Sequence, residues 1–181
     1  YPVADFEDFG ESVISPGFVN CHSHLELSIM RGFLDDVEDS FFKWLLKIAV
    51  TRDQVLTAED IEISALLGAL EGARAGVTCF GDIGRYGKAG FEALKETGLR
   101  GVVFQETEFS PYNENAIDDF SKLKDKFLAL KSVENNLVKV GISPHAPYTV
   151  SRNLFTLITD YSLAENIKIS IHAAESHLEE K

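Results

Sequence analysis

Two periodicities of hydrophobic positions alternate along this chain. Short apolar runs rich in β-branched or aromatic residues stand at 18–21 (FVNC), 77–81 (VTCFG), 101–105 (GVVFQ), 138–143 (VKVGIS) and 167–173 (IKISIHA). Most lack strict polar alternation, the mark of strands buried on both faces in a parallel sheet. Between them lie stretches with helical spacing. Residues 58–75 open on Thr57 and Asp60, spaced as a capping box, and stop at Gly76. "FEALKETG" (91–98) ends in Gly98, and residues 117–132 place Ile117, Phe120, Leu123, Phe127 and Leu130 near one stripe. Ser151 reads as the cap of a fourth helix running to about Ala164.

The later strands start at 77, 101, 138 and 167, intervals of 24, 37 and 29 residues. That is the length of a βα unit, which predicts a parallel sheet with helices outside. The first interval is 59 residues, so the first connection carries an insertion, "SIMRGFLDDVEDSFFKWLLKIAV". The α/β pattern reads as the opening of a (β/α)8 TIM-type barrel, with an open doubly wound sheet as the alternative. No glycine-rich phosphate loop follows the first strand, which counts against a dinucleotide site. A full barrel takes roughly 250 residues. Five strands therefore correspond to about five-eighths of one.

Composition narrows the partners. A net charge of −12 disfavours nucleic acid and anionic membrane surfaces, both of which are bound through Lys and Arg. A small uncharged or cationic molecule is the expected partner, and a homo-oligomer stays open. The acidic run "DDVED" (35–39) reads as a solvated loop. Cys21 and Cys79 have no paired spacing, so free thiols in a reducing, cytoplasmic setting are expected. No run of about 18 apolar residues reads as a membrane span.

In a barrel, chemistry sits at the C-terminal ends of the strands. Those ends carry His22 and His24 on the first strand, Asp82 on the second and Gln105–Glu106 on the third. The fourth leads to His145, and the fifth to His172 and Glu175; His177 lies just beyond. Alternate residues of a strand share a face, so His22 and His24 can reach one ion together. Alone, His-x-His is an even bet against two polar residues at a loop start. His172 offers a third imidazole from another strand. Glu175, in the following turn, is placed to move protons without ligating; a helix N-terminal acid is its plainer reading.

"PGFVNCHSHLE", "GVTCFGD", "SPHAPYTVS" and "IHAAES" occur in the order and strand positions of the amidohydrolase superfamily. The chain most resembles the branch that deaminates nucleosides and cytosine, with the triazine chlorohydrolases beside it. "HLELS" is similar to aminodeoxyfutalosine deaminase-like members. The resemblance runs from about Ser15 to the C-terminus and implies a barrel beside a small β-sandwich. On that reading residues 1–14 finish the sandwich and 15–181 form the first five βα units.

The resemblance implies that His22, His24 and His172 ligate one divalent ion, zinc first, with iron or manganese behind it. Glu175 matches the proton shuttle and His145 a substrate-contacting histidine. The family also uses a strand-six histidine and a strand-eight aspartate, expected beyond Lys181; without them these residues alone are expected to be inactive. Glu26 is a candidate to face the substrate, and Trp44 to lie beside the bound ring, although loop and core packing are their alternatives. The expected activity is metal-dependent hydrolysis of a C–N bond, releasing ammonia from an aminated purine, pyrimidine or related heterocycle. Chloride or cyclic-amide hydrolysis at the same site, and a non-catalytic barrel fragment, are the alternatives.

Overall fold

Four of the five apolar runs pair into one sheet. The computed structural model describes residues 7–37, 40–176 and 179. Strands β1 (Phe18–Ser23), β2 (Val77–Gly84), β3 (Arg100–Glu106) and β4 (Val138–Ser143) lie side by side in chain order. Every pairing is parallel, with Val103 of β3 opposite both Asp82 and Val140. The one irregular ladder is β1–β2, whose register slips between Asn20 and Ser23, at the histidine-bearing end.

The helices follow the sequence pattern closely. They are α1 (Phe41–Gln54), α2 (Ala58–Arg74), α3 (Gly87–Thr97), α4 (Ala116–Lys131) and α5 (Arg152–Ala164). Thr57 Oγ1 accepts from the Asp60 N–H at 3.2 Å while the Asp60 carboxylate accepts from the Thr57 N–H at 2.8 Å, completing the capping box. Gly98 closes α3 at φ 70°, a left-handed conformation that costs glycine little. The insertion after β1 folds as two 3₁₀ turns, Leu25–Met30 and Asp35–Val37, followed by α1. Asp36 of the acidic run pairs with Lys47; Glu38 and Asp39 lie outside the described residues.

The fifth run departs from the expected regular strand over 167–173. Only Ile169 bridges, in parallel to Ile142. Two bonds hold it, Ile142 N–H to the Lys168 carbonyl (3.0 Å) and Ser170 N–H to the Ile142 carbonyl (3.1 Å). Among the described residues no strand flanks its other side, and its one ladder step is supported by the Ile167 N–H to Ser162 carbonyl bond at 2.8 Å. Residues 7–14 form no strand, and the expected sandwich over residues 1–6 lies outside the described residues.

The helices bury one face of the sheet. Phe80, Val103, Val140 and Ile142 meet Phe91, Leu94, Leu123, Phe127, Leu154 and Ile158 in one cluster. Strand alternation turns Val102 and Phe104 to the opposite, half-buried face. This α/β arrangement fits part of a (β/α)8 barrel. At the near edge no strand pairs with β1 among the described residues, and Phe18 is 66% and Val19 61% exposed.

Candidate metal centre and active site

The C-terminal ends of the strands converge on three imidazoles. His22 and His24 leave β1 on the same side, and His172 follows the bridged segment after α5. Ring centroids lie 5.0 Å apart for His22–His24, 4.9 Å for His22–His172 and 5.1 Å for His24–His172. One ligating atom from each lies within 4.8 Å of the others.

Hydrogen bonds at the outer nitrogens fix which atoms face inward. His24 Nδ1 lies 2.8 Å from the Ile83 carbonyl, which can only accept, so Nδ1 carries the proton. His172 Nδ1 likewise donates to the His145 carbonyl at 3.2 Å. Both Nε2 atoms are therefore lone-pair donors in the neutral rings, yet they stand 3.1 Å apart. Two such lone pairs facing each other repel unless a cation lies between them. At the usual Zn–N length of about 2.05 Å, nitrogens 3.1 Å apart subtend about 100° at the ion, close to tetrahedral. The donor set fits a divalent metal. Burial, then His172 and His22, lowers the His24 pKa to about 4, and burial also lowers His22. Both are thus neutral and ready to ligate near pH 7.

Asp82 anchors this end of β1. Its buried carboxylate accepts from the Leu25 N–H at 2.8 Å and the Ser23 hydroxyl at 3.0 Å. Gly90 leaves the room: a Cβ there would come within 2.1 Å of the Asp82 carboxylate.

Glu175 stands beside the imidazoles, exposed, with Tyr148 Oη donating to it at 2.5 Å. Tyr148 lies in "SPHAPYTVS" yet carried no sequence signal that would pair it with a residue 27 positions away. Its phenol is pushed well above the usual range, by burial first and then by that bond. His145 is buried and left-handed, φ 59°, which is rare and strained for a residue with a Cβ. Its carbonyl accepts both the His172 N–H (2.8 Å) and the His172 Nδ1–H. Thr149 Oγ1 donates to the Ala146 carbonyl at 3.1 Å, so it accepts from His145 Nδ1 at 2.7 Å. That leaves His145 Nε2 as an acceptor. Burial, then His172, lowers its pKa to about 3.

A cavity of about 50 Å³ opens beside these groups, lined by His24, Trp44, Arg85, Glu106, Phe109 and His145 among others. Trp44 reaches it from α1, stacked on Phe41 at 5.9 Å. Glu26 does not line it. Its carboxylate is buried and accepts from the backbone N–H groups of Arg85 (3.2 Å) and Tyr86 (2.8 Å) and from Arg52 (3.4 Å). Gly84 permits this, since a Cβ there would approach the carboxylate to 2.9 Å. Glu26 thus holds the β2–α3 turn in place of the expected substrate contact. Burial, the largest influence, pushes Glu106 up to about 8 against the pull of Arg85. A hydrogen-bond donor arriving at its carboxyl would favour the ionised form. His177 lies outside the described residues.

Comparison with known proteins gives the chain its relatives. The chain is 30% identical over 175 residues to a 5-methylthioadenosine/S-adenosylhomocysteine deaminase of Thermoanaerobacter pseudethanolicus, covering 95% of this chain and 39% of that protein. It is 31% identical over 181 residues to a 5'-deoxyadenosine deaminase of Methanopyrus kandleri, covering 98% and 41%. The chain spans about two fifths of the length of these relatives. Among solved structures, a zinc-bound adenosine deaminase of Xanthomonas campestris superposes with a TM-score of 0.72 at 24% identity, over 91% of this chain and 37% of that one. The amidohydrolase family profile matches residues 13–181. From first strand to last described turn, the chain belongs to the amidohydrolase family.

Proposed function

We propose that the full-length protein is a metal-dependent aminohydrolase that releases ammonia from an aminated purine, pyrimidine or related heterocycle. The observation that carries this reading is the pair of facing Nε2 atoms on His24 and His172, each with its Nδ1 proton spent on a carbonyl, with Glu175 alongside. Relatives named as deaminases of adenosine-like molecules support the choice of leaving group. His22, His24 and His172 would hold the ion, and an all-imidazole set suits zinc ahead of iron or manganese. When bound, such an ion activates water and polarises the atom it contacts.

The remaining work falls to this chain's side chains. Glu175 takes a proton from water as the oxygen adds to the amine-bearing ring carbon. It passes that proton to a ring nitrogen, and the proton left on the added oxygen then reaches the amine as the C–N bond breaks. Ammonia leaves, and the ring keeps a carbonyl. Tyr148 holds the Glu175 carboxylate in position. His145 Nε2 accepts a hydrogen bond from the substrate, and Trp44 offers an apolar wall. Among the described residues no helix is long and apolar enough to cross a membrane. A reducing, cytoplasmic setting suits the unpaired Cys21 and Cys79.

The test is ammonia release by the zinc-loaded full-length protein across adenosine-like, guanine-like and cytosine-like amines. Release from one class, lost in Glu175→Gln while zinc stays bound, supports the reading. Silence across the panel with zinc bound rejects it in favour of another leaving group.

A further inference from the structure

A second group of polar side chains lies beside the histidines, and nothing described so far uses it. Arg85 follows β2 and Glu106 ends β3; both line the cavity, at 9% and 4% exposure. The guanidinium of Arg85 sits over the Phe109 ring at 4.6 Å, and its Nη1 pairs with Asp53 at 3.1 Å. Its Nε and Nη2 are buried without a hydrogen-bond partner among the described residues, and so is Oε1 of Glu106. Two unmet donors and one unmet acceptor in one cavity are costly to leave bare. Glu106 also lies close to the metal centre, its carboxyl within 4.8 Å of ligating atoms on His145 and His172.

We infer that Arg85 and Glu106 form a recognition pair for an uncharged substrate edge carrying a hydrogen-bond donor beside an acceptor. The donor goes to Glu106 Oε1, and the acceptor takes Nε or Nη2 of Arg85. An anionic group would meet Asp53 and hold Glu106 in its protonated form, and a cationic group would meet Arg85 and Arg52, so the pair selects for neutrality. Two parts of an adenosine-like molecule offer such an edge: the amino-bearing side of the ring, and the sugar hydroxyls. The cavity has room for an edge, and the rest of the ligand extends towards exposed His22 and Glu175. This inference rests on the aminohydrolase reading and names what that site selects.

The experiment is calorimetric titration of zinc-loaded, full-length Glu175→Gln protein, in which turnover is blocked. The probes are adenosine, 2',3'-dideoxyadenosine and 1-deazaadenosine. Adding Glu106→Leu or Arg85→Met should weaken adenosine binding by about 10- to 100-fold, the range of a lost charge-assisted hydrogen bond. Glu106→Gln, which keeps a neutral acceptor, and Arg85→Lys, which keeps a cation if the Met variant does not fold, should recover part of the loss. Zinc content should stay stoichiometric in all of them. A penalty that vanishes with dideoxyadenosine assigns the edge to the sugar, and an Arg85→Met penalty that vanishes with deazaadenosine, which lacks only the ring acceptor, assigns it to the ring. Unchanged adenosine affinity in the Leu and Met variants overturns the pair alone, with ammonia release by the wild type still standing. No probe bound and no ammonia from any amine overturns both readings.

Discussion

Two polar clusters share the strand tips, and their unmet atoms are of opposite kinds. In the histidine cluster the outer nitrogens of His24 and His172 have fixed partners, and what remains is two like lone pairs 3.1 Å apart. In the Arg85–Glu106 cluster donors and an acceptor lie in one cavity with no bond between those atoms. The first arrangement is relieved only by a cation. The second is relieved by any neutral group that can give and take a hydrogen bond. Buried polar atoms are normally paired, so the difference indicates which kind of guest each cluster is built for.

The sharpest way to break this contrast is to delete an imidazole. His24→Ala should lose stoichiometric zinc, a larger effect than the ~10–100-fold of a supporting residue, and ammonia release should fall to background. Zinc retained at wild-type affinity by elemental analysis would place the ion elsewhere. Next, Glu175→Gln should lower kcat by about 10²- to 10⁴-fold, the usual contribution of a general acid–base group, with zinc undisturbed. Acidification comes third. Since the His24 pKa is lowered to about 4, the proton competes with metal only well below the ordinary histidine range. Zinc occupancy should hold at pH 6 and drop steeply towards pH 4; loss already at pH 6.5 would mean that His24 is not desolvated. The same lowering means that folding favours the neutral ring, so its stabilising contribution is present above pH 6.5 and fades as the pH falls towards 4.

Two smaller effects would sharpen the picture. Tyr148→Phe removes the bond to Glu175 and should reduce kcat by about 10-fold with KM little changed. An equal loss in both would mark Tyr148 as a binding residue. Thr149→Val frees His145 to exchange tautomers and should cost only about threefold. The check is the imidazole nitrogen signals of His145 by NMR, which should shift towards the other tautomer.

Much of the sheet was legible because its information is local. The capping box at Thr57 and Asp60, the stop at Gly98 and the paired histidines each need only a few neighbouring residues. The fifth run shows the limit of local information, because an apolar run does not report its partners, and Ile169 makes a single parallel bridge. Glu26 was beyond reach for a similar reason. Its polar partners Arg85 and Tyr86 lie 59 and 60 positions along the chain, and "HLELS" contains nothing that points to them. Arg85 and Glu106 were visible as strand-end residues, but their lack of partners is a property of packing. For Trp44 the sequence leaves two readings open, a place beside the bound ring and packing in its own loop. It does stack there on Phe41, and it also faces the cavity.

The single carbonyl of His145, which takes both protons of His172, has a consequence for how such a site can diversify. Main chain, not side chain, supports the ligand, so the ring at position 145 can be exchanged without loosening His172. The left-handed φ of 59° filters the exchanges to glycine, asparagine and aspartate before the rest. A small library at this one position would therefore explore new substrates while the metal-holding scaffold stays as it is.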